Sequence, residues 1–402
     1  MRADGHDACG SDRRGAPRSS IGSPHGVDDV EALAPFAPDA EWRAALKRAP
    51  RRFFIPGAAL ASPDRWIDKR ADPEAWAAAV ADDSPIVTQI DYGDTPLTAE
   101  TAQRATEHTC SCSAPSMVFA CLSALDLRAH HRVLEVGTGT GWTAGLLAAR
   151  LGEANVTSIE VDPALAATAA ATLDRVGLSP RMVVGDGAAG WSDGAPFDRV
   201  HVTCGVRAVP RAWIEQTRPG GVIVLPLAAE FGTGLITRLD VLDDGIAIGR
   251  FVEEGWYMRM RAQRVVRTEW PWESDLDGEI STTRLDPHTI AAVNGGAVGV
   301  WLSAHLRNVD ALSWAPDPDG LIVHWLLESG PRAESWAAVD YRPGAARFEV
   351  EQYGPRRLWD EAEAAYLGWL RAGRPGLERL GITVTAGGDQ RFWLDSPDRS
   401  IG

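Results

Sequence analysis

Arg132-Val133-Leu134-Glu135-Val136-Gly137-Thr138-Gly139-Thr140-Gly141-Trp142-Thr143-Ala144-Gly145-Leu146-Leu147-Ala148-Ala149-Arg150-Leu151 decides how this chain is read. Val133 to Val136 is a short apolar run of the kind that forms a buried strand. Gly137, Gly139 and Gly141 allow a tight turn with close backbone approach. Trp142 to Leu151 then has the composition of a helix, with Leu146, Leu147 and Leu151 spaced for one face. Strand, glycine turn and helix N-terminus together make a nucleotide-binding corner. The glycines recur at every second position rather than as Gly-x-Gly-x-x-Gly, which favours a nucleoside without a pyrophosphate. Taken alone, the same pattern also suits a glycine-rich turn in an unrelated α/β protein.

The following residues narrow the choice. Asn155 to Val161 reads as a second strand, bringing Glu160 about twenty residues after the glycines, where a carboxylate accepts from ribose hydroxyls. Asp162, just past the strand, is the competing carboxylate. Arg181 to Val184 is a third strand, closed by Gly185-Asp186-Gly187. Asp186 is placed to accept from an exocyclic adenine amine, although Asp-Gly is also an ordinary turn pair. Asp198 to Thr203 and Val222 to Leu225 supply a fourth and a fifth strand, the latter entered through Gly220-Gly221. Glycine corner, ribose acid and adenine turn, in that order on successive strands, fit S-adenosylmethionine.

In these residues the chain resembles the protein-L-isoaspartate O-methyltransferases. The resemblance runs from about residue 40 to 265. It rests on Pro50-Arg51-Arg52-Phe53-Phe54-Ile55-Pro56, Ser113-Ala114-Pro115, Glu135 to Gly141, Gly185-Asp186-Gly187, Ala195-Pro196-Phe197-Asp198, Glu215-Gln216, Pro219-Gly220-Gly221 and Val224-Leu225-Pro226. The C-terminal part is similar to the extension on members that modify ribosomally made peptides, through Gly354 to Glu361, Gly373-Arg374-Pro375 and Trp393 to Pro397. The resemblance implies cofactor contacts at Glu135, Gly137, Thr138, Gly139, Gly141, Glu160, Asp186 and Gly187. It also implies that Ser113 contacts the substrate carboxyl. A hydroxyl there can donate to one carboxylate oxygen and orient the other toward a methyl group. The alternative is that Ser113 caps a helix starting near Pro115. Ser111 and Thr109 are weaker candidates of the same kind, and His108 reads as solvated or capping rather than as a base. Thr203-Cys204-Gly205-Val206-Arg207 stands where the family has small, alanine-rich sequence. The change makes Thr203 and Arg207 candidate substrate contacts, with a surface arginine as the plain alternative for Arg207.

Length and composition set the frame. The chain has 402 residues, 45% hydrophobic and 24% charged, which suggests two soluble globular domains. A net charge of −15 argues against nucleic acid and anionic membrane as partners. No stretch reads as a membrane span or as the apolar core of a signal peptide, so a cytoplasmic location is the expectation. The five cysteines, Cys9, Cys110, Cys112, Cys121 and Cys204, read as free thiols, and their spacing suits no metal. Residues 1–38 read as a disordered tail. Helices are expected over Glu41 to Ala49 and, entered through Asp72-Pro73, to Val80, with a strand at Ile86 to Asp91. These elements and Thr109 to Phe119 make a lid.

Leu235 to Leu242 and Ala247 to Val252 complete the strands of a methyltransferase domain spanning 39–266. The region 267–402 is expected to be a separate accessory domain that holds peptide, joined through a linker in which Trp270-Pro271-Trp272 packs on the interface. Strands are expected at Leu321 to Leu327, Trp336 to Tyr341 and Phe348 to Tyr353, a helix at Arg357 to Ala372, and a closing hairpin around Gly387-Gly388-Asp389. The fold class is therefore α/β: a Rossmann-like S-adenosylmethionine-dependent methyltransferase domain with a C-terminal α+β accessory domain. The expected reaction is methylation of an aspartate or isoaspartate carboxylate in a peptide, without metal or covalent intermediate. From an aspartyl ester, the following backbone nitrogen would close an aspartimide. General isoaspartyl repair is one alternative, a non-catalytic cofactor-binding scaffold another. Oligomeric state is left open.

Overall fold

The computed structural model describes residues 28–105, 107–228, 231, 234–264, 278–291, 295–313, 316–330 and 334–402. Trp270-Pro271-Trp272 and most of the expected tail lie outside these residues. The end of that tail does not: Asp29–Leu33 is helical and Ala34–Phe36 forms a 3-10 turn. Leu33 is fully buried, and Asp29 is tied to Arg52, so sequence with little periodic apolar content is nonetheless held by packing.

Three sheets organise the described residues. The first is a four-stranded antiparallel sheet in the order β2-β1-β3-β4, from Ala58–Ala61 (β1), Arg65–Asp68 (β2), Ile86–Ile90 (β3) and His108–Cys112 (β4). It is the lid. Helix Pro73–Val80 flanks it, its N-cap Asp72 accepting from Ala75 N at 2.9 Å.

The second sheet has ten strands. Val133–Val136 (β5), Val156–Glu160 (β6), Arg181–Val184 (β7), Phe197–Val202 (β8) and Thr217–Leu227 (β9) pair in parallel. Leu235–Val241 (β10) and Ala247–Glu254 (β11) add antiparallel. The chain steps outward from β5 through β6 to β7, then returns to the other side of β5 as β8, so the strand order reverses between β5 and β8. Such a reversal opens a crevice at the strand C-termini. All four residues of β5 are buried, which is why it reads as an apolar run. Leu146, Leu147 and Leu151 of helix Trp142–Leu151 are buried, worth about 2 kcal/mol each in removed apolar surface.

The third sheet is antiparallel and five-stranded, β12-β16-β15-β14-β13, from Glu279–Thr283 (β12), Val309–Ser313 (β13), Ile322–Glu328 (β14), Trp336–Tyr341 (β15) and Phe348–Tyr353 (β16). Helices Gly296–His305 and Leu358–Arg371 pack with it around Leu302, Leu326, Val339 and Trp359.

Leu380–Val384 (β17), Gln390–Leu394 (β18) and Ser400–Ile401 (β19) correct the expected division at residue 266. They belong to the second sheet, β17 pairing with β11 from Ala247↔Val384 to Arg250↔Gly381. Ile382, Val384 and Leu394 are buried in the same core as Leu239 and Ala247. The C-terminal segment therefore completes the central sheet rather than closing a separate domain. Among the described residues no helix is long and apolar enough to cross a membrane.

Candidate active site

A cleft of about 790 Å³ opens where β5, β6 and β8 end, roofed by β4 and walled by residues 256–262. Gly137, Thr138, Gly139, Glu160, Asp186, Gly187, Thr203, Ser111 and Ser113 all line it. Gly137, Gly139 and Gly141 have φ of +94°, +53° and +85°, a region in which a side chain is strained. Neighbours also crowd a side chain at two of them. A Cβ on Gly137 would lie 2.6 Å from Thr203 Oγ1, and one on Gly141 3.0 Å from Ala169 Cβ.

Glu160 accepts from Gly139 N at 2.9 Å through one oxygen and from Asp162 N at 3.1 Å through the other. Each oxygen keeps a second lone pair for a ligand in the cleft. Asp162 is occupied instead. It accepts from Ala164 N (2.9 Å), Leu165 N (3.2 Å), Gln89 Nε2 (2.9 Å) and Arg261 (3.1 Å). Burial alone would raise its pKa, but the Gln89, Arg261 and helix-amide hydrogen bonds outweigh it and hold the carboxyl below the usual range. The geometry therefore favours Glu160 over Asp162. Among the described residues Asp186 accepts only from Ala188 N (2.9 Å) and is otherwise exposed at the rim.

Ser113 leads into helix Pro115–Ala124, whose N-cap is Ala114 and which has no side-chain cap hydrogen bond. Its hydroxyl is therefore not spent on the helix, and the residue lines the cleft. The serine's backbone is held from below by Arg51, which is fully buried. The Arg51 guanidinium donates to Val80 O (3.0 Å), Asp82 O (3.0 Å), Ser84 O (2.7 Å), Cys112 O (3.1 Å) and Ser113 O (3.0 Å). The sequence reading quoted Arg51 within a motif without giving it a task.

Three expectations change. Glu135 is absent from the cleft wall; it is a fully buried residue of β5, accepts from the Ser158 hydroxyl and leaves Oε1 unpartnered among the described residues. A strand residue alternates faces, and Glu135 points to the core behind the glycine loop. Thr203 lines the cleft, but its hydroxyl donates to Val136 O (3.0 Å) and Gly137 O, so it braces the loop. Arg207 lies elsewhere, lining a separate pocket of about 80 Å³ with Arg307 and Phe392. There Gln390 of β18 grips the chain, donating to Arg207 O (2.9 Å) and accepting from Val209 N (2.7 Å). Burial pushes the Cys110, Cys121 and Cys204 thiols up to about 12, so none is a nucleophile near neutral pH. Sequence reading missed the wall residues Trp256, Tyr257 and Arg259, because no spacing rule singles out an irregular segment after a strand.

A family model described as Protein-L-isoaspartate(D-aspartate) O-methyltransferase matches residues 86–264. The chain is 35% identical over 163 residues to protein-L-isoaspartate O-methyltransferase of Ignicoccus hospitalis, covering 40% of this chain and 74% of that protein. It is 34% identical over 224 residues to protein-L-isoaspartate O-methyltransferase 1 of Rhodopseudomonas palustris, covering 53% and 76%. With the corresponding Anaeromyxobacter sp. protein, identity is 46% over 136 residues, 33% of this chain and 63% of that relative, just short of two thirds of its length. A solved protein-L-isoaspartate O-methyltransferase shares the fold over 92% of this chain and 99% of its own, with a TM-score of 0.52 and 19% identity.

Proposed function

The chain belongs to the protein-L-isoaspartate O-methyltransferase family, and within it we propose that this member methylates an aspartate or isoaspartate carboxylate in a ribosomally synthesised peptide. It is a carboxyl O-methyltransferase that uses S-adenosylmethionine. The corner fits that cofactor: the glycine cradle leaves no room for a Cβ at Gly137, and Glu160 presents spare lone pairs to the cleft. Glu160 would hold the ribose hydroxyls, Asp186 the adenine amine, and the loop from Gly137 to Gly139 the backbone approach. When bound, the cofactor supplies an electrophilic methyl group.

The chain's own part is to bind and aim a carboxylate. The acceptor is ionised near pH 7 and needs no base. Ser113 donates to one of its oxygens, which leaves the other directed into the cofactor half of the cleft. Arg51 holds the Ser113 carbonyl, and β4 of the lid sheet lines the cleft over the acceptor. The observation that carries this reading is the Ser113 hydroxyl in the cleft wall, unspent on the helix beside it.

Two features favour a dedicated peptide over general repair. The strand-four end departs from the small, alanine-rich pattern, and the C-terminal segment clamps that end through Gln390. A methyl ester on aspartate would be followed by attack of the next backbone nitrogen, loss of methanol and an aspartimide, which opens to isoaspartate. Mass spectrometry on two substrates tests this. A methyl gain followed by methanol loss on an aspartyl precursor peptide alone supports the reading. Methylation of a generic isoaspartyl peptide alone returns the protein to repair.

A further inference from the structure

Residues 254–262 cross the cleft opposite Ser113, and most of their side chains have no task in the reaction above. Their backbone is firmly placed. Gly255 N donates to Gly234 O (2.8 Å), Gly205 N to Met258 O (2.8 Å) and Met260 N to Gly205 O (2.9 Å). A Cβ on Gly205 would lie 2.9 Å from the Tyr257 carbonyl oxygen, so the close crossing requires a glycine. Tyr257 is buried under the crossing, and Arg261 anchors its far end, paired with Asp162 at 3.1 Å and lying 4.6 Å over the Tyr92 ring.

Two large side chains of the segment are left exposed in the cleft wall. Trp256 is 63% exposed, an unusual position for so large an apolar surface. Arg259 is exposed and makes no ion pair or side-chain hydrogen bond with the described residues. Arg261, the other arginine of the cleft wall, is neutralised by Asp162. Among the described residues the cleft thus carries one uncommitted guanidinium and one uncovered indole, both on the same braced segment. A net charge of −15 repels acidic ligands at long range, so a local cation in the cleft has most effect on an acidic one. The acceptor carboxylate itself is a poor partner for Arg259, since a bidentate guanidinium would tie up the oxygen that must attack.

We propose that Arg259 and Trp256 read the peptide beside the acceptor: Arg259 pairs with a carboxylate on a neighbouring residue, and Trp256 packs on a bulky apolar side chain. The preferred substrate is then an acidic peptide with an apolar residue close to the acceptor. This inference rests on the peptide-methyltransferase reading.

The test uses the full chain loaded with S-adenosylhomocysteine. The probes are labelled hexapeptides, each made with an aspartyl and with an isoaspartyl acceptor, that otherwise differ only in carrying Glu, Gln or Lys beside it. Binding is read by fluorescence anisotropy and methyl transfer, in parallel, by mass spectrometry with S-adenosylmethionine. The Glu peptide is expected to bind about tenfold tighter than the Gln peptide. Arg259→Gln should abolish that ratio, Arg259→Lys should keep part of it, and Arg259→Glu should favour the Lys peptide. Affinity for S-adenosylhomocysteine should stay constant throughout. Trp256→Ala should remove a preference for Leu over Ser at the flanking position. A Glu-to-Gln ratio near one in the native chain, a ratio that survives Arg259→Gln, cofactor affinity lost with Arg259, or no binding of any peptide would each overturn the assignment. Arg259-dependent binding of the Glu peptide without methylation of any peptide, the aspartyl precursor included, would uphold the inference and sink the methyl-transfer reading instead.

Discussion

Ser113, Arg51 and Asp186 divide the work of the site, and substitution separates them. Ser113→Ala removes the donor to the acceptor carboxylate and leaves the cofactor corner intact. Loss of one hydrogen bond to a charged group, about 1.5–3 kcal/mol, should lower kcat roughly tenfold to a hundredfold with unchanged cofactor affinity. Equal loss of both, measured by kinetics and calorimetry, would make the serine structural. Asp186→Ala should weaken S-adenosylmethionine about tenfold, near 1.4 kcal/mol; calorimetry showing no change would reject its adenine role. Arg51 is different in kind, because its guanidinium serves five backbone carbonyls inside the protein. Leaving even two of them without a donor costs about 2–6 kcal/mol. Arg51→Met should therefore shift the urea midpoint well down, and an unmoved midpoint would show that the lid relaxes around the loss.

At the scale of elements, β5 and β8 bury two titratable side chains in register, Glu135 opposite His201. Burial raises the Glu135 carboxyl from an ordinary 4.5 to about 8, against the Ser158 hydrogen bond and with help from the Glu160 charge. Between those values the folded chain keeps a proton that the unfolded chain has lost. This contribution to stability is fully present below pH 4.5 and is lost as pH rises through 8. His201 has the opposite sign. Burial lowers it from 6.5 to about 4, so its contribution is full above 6.5 and is lost as pH falls through 4. Glu135→Gln, which keeps the shape and removes the titration, should flatten the decline of Tm between about pH 6.5 and 8. An identical decline in native and variant melting curves would assign it to other groups.

For the whole molecule, the consequence of the ten-stranded sheet is that the N-terminal two thirds is not a free-standing unit. A chain ending at residue 266 leaves β11 as an unpaired edge and uncovers the apolar residues that β17 and β18 bury, including Ala247 and Phe251. An exposed apolar edge strand templates association. Such a truncation should aggregate or bind a hydrophobic dye on size-exclusion and fluorescence measurements. A monodisperse, cooperatively melting fragment would show that the C-terminal hairpin is dispensable to the fold.

Most of the parallel core and the cofactor half of the site were legible in the linear sequence, because local chemistry writes them there. A buried parallel strand has to be an apolar run, and a backbone at positive φ calls for glycine. Val133 to Val136, Gly137, Gly139 and Gly141 are found as read. A carboxylate at a strand end is likewise visible, and Glu160 lies in the cleft. What the sequence could not decide is which way a side chain faces and which distant strands pair. Glu135 sits within the same motif yet faces the core, and Arg207, beside the strand-four end, faces another pocket. The pairing of β17 with β11 joins residues more than a hundred positions apart, and no local pattern encodes the partner of an edge. Only the folded chain brings Arg51 under Ser113 and Arg259 across the cleft, because those contacts depend on the path of the backbone and not on the composition of any one stretch.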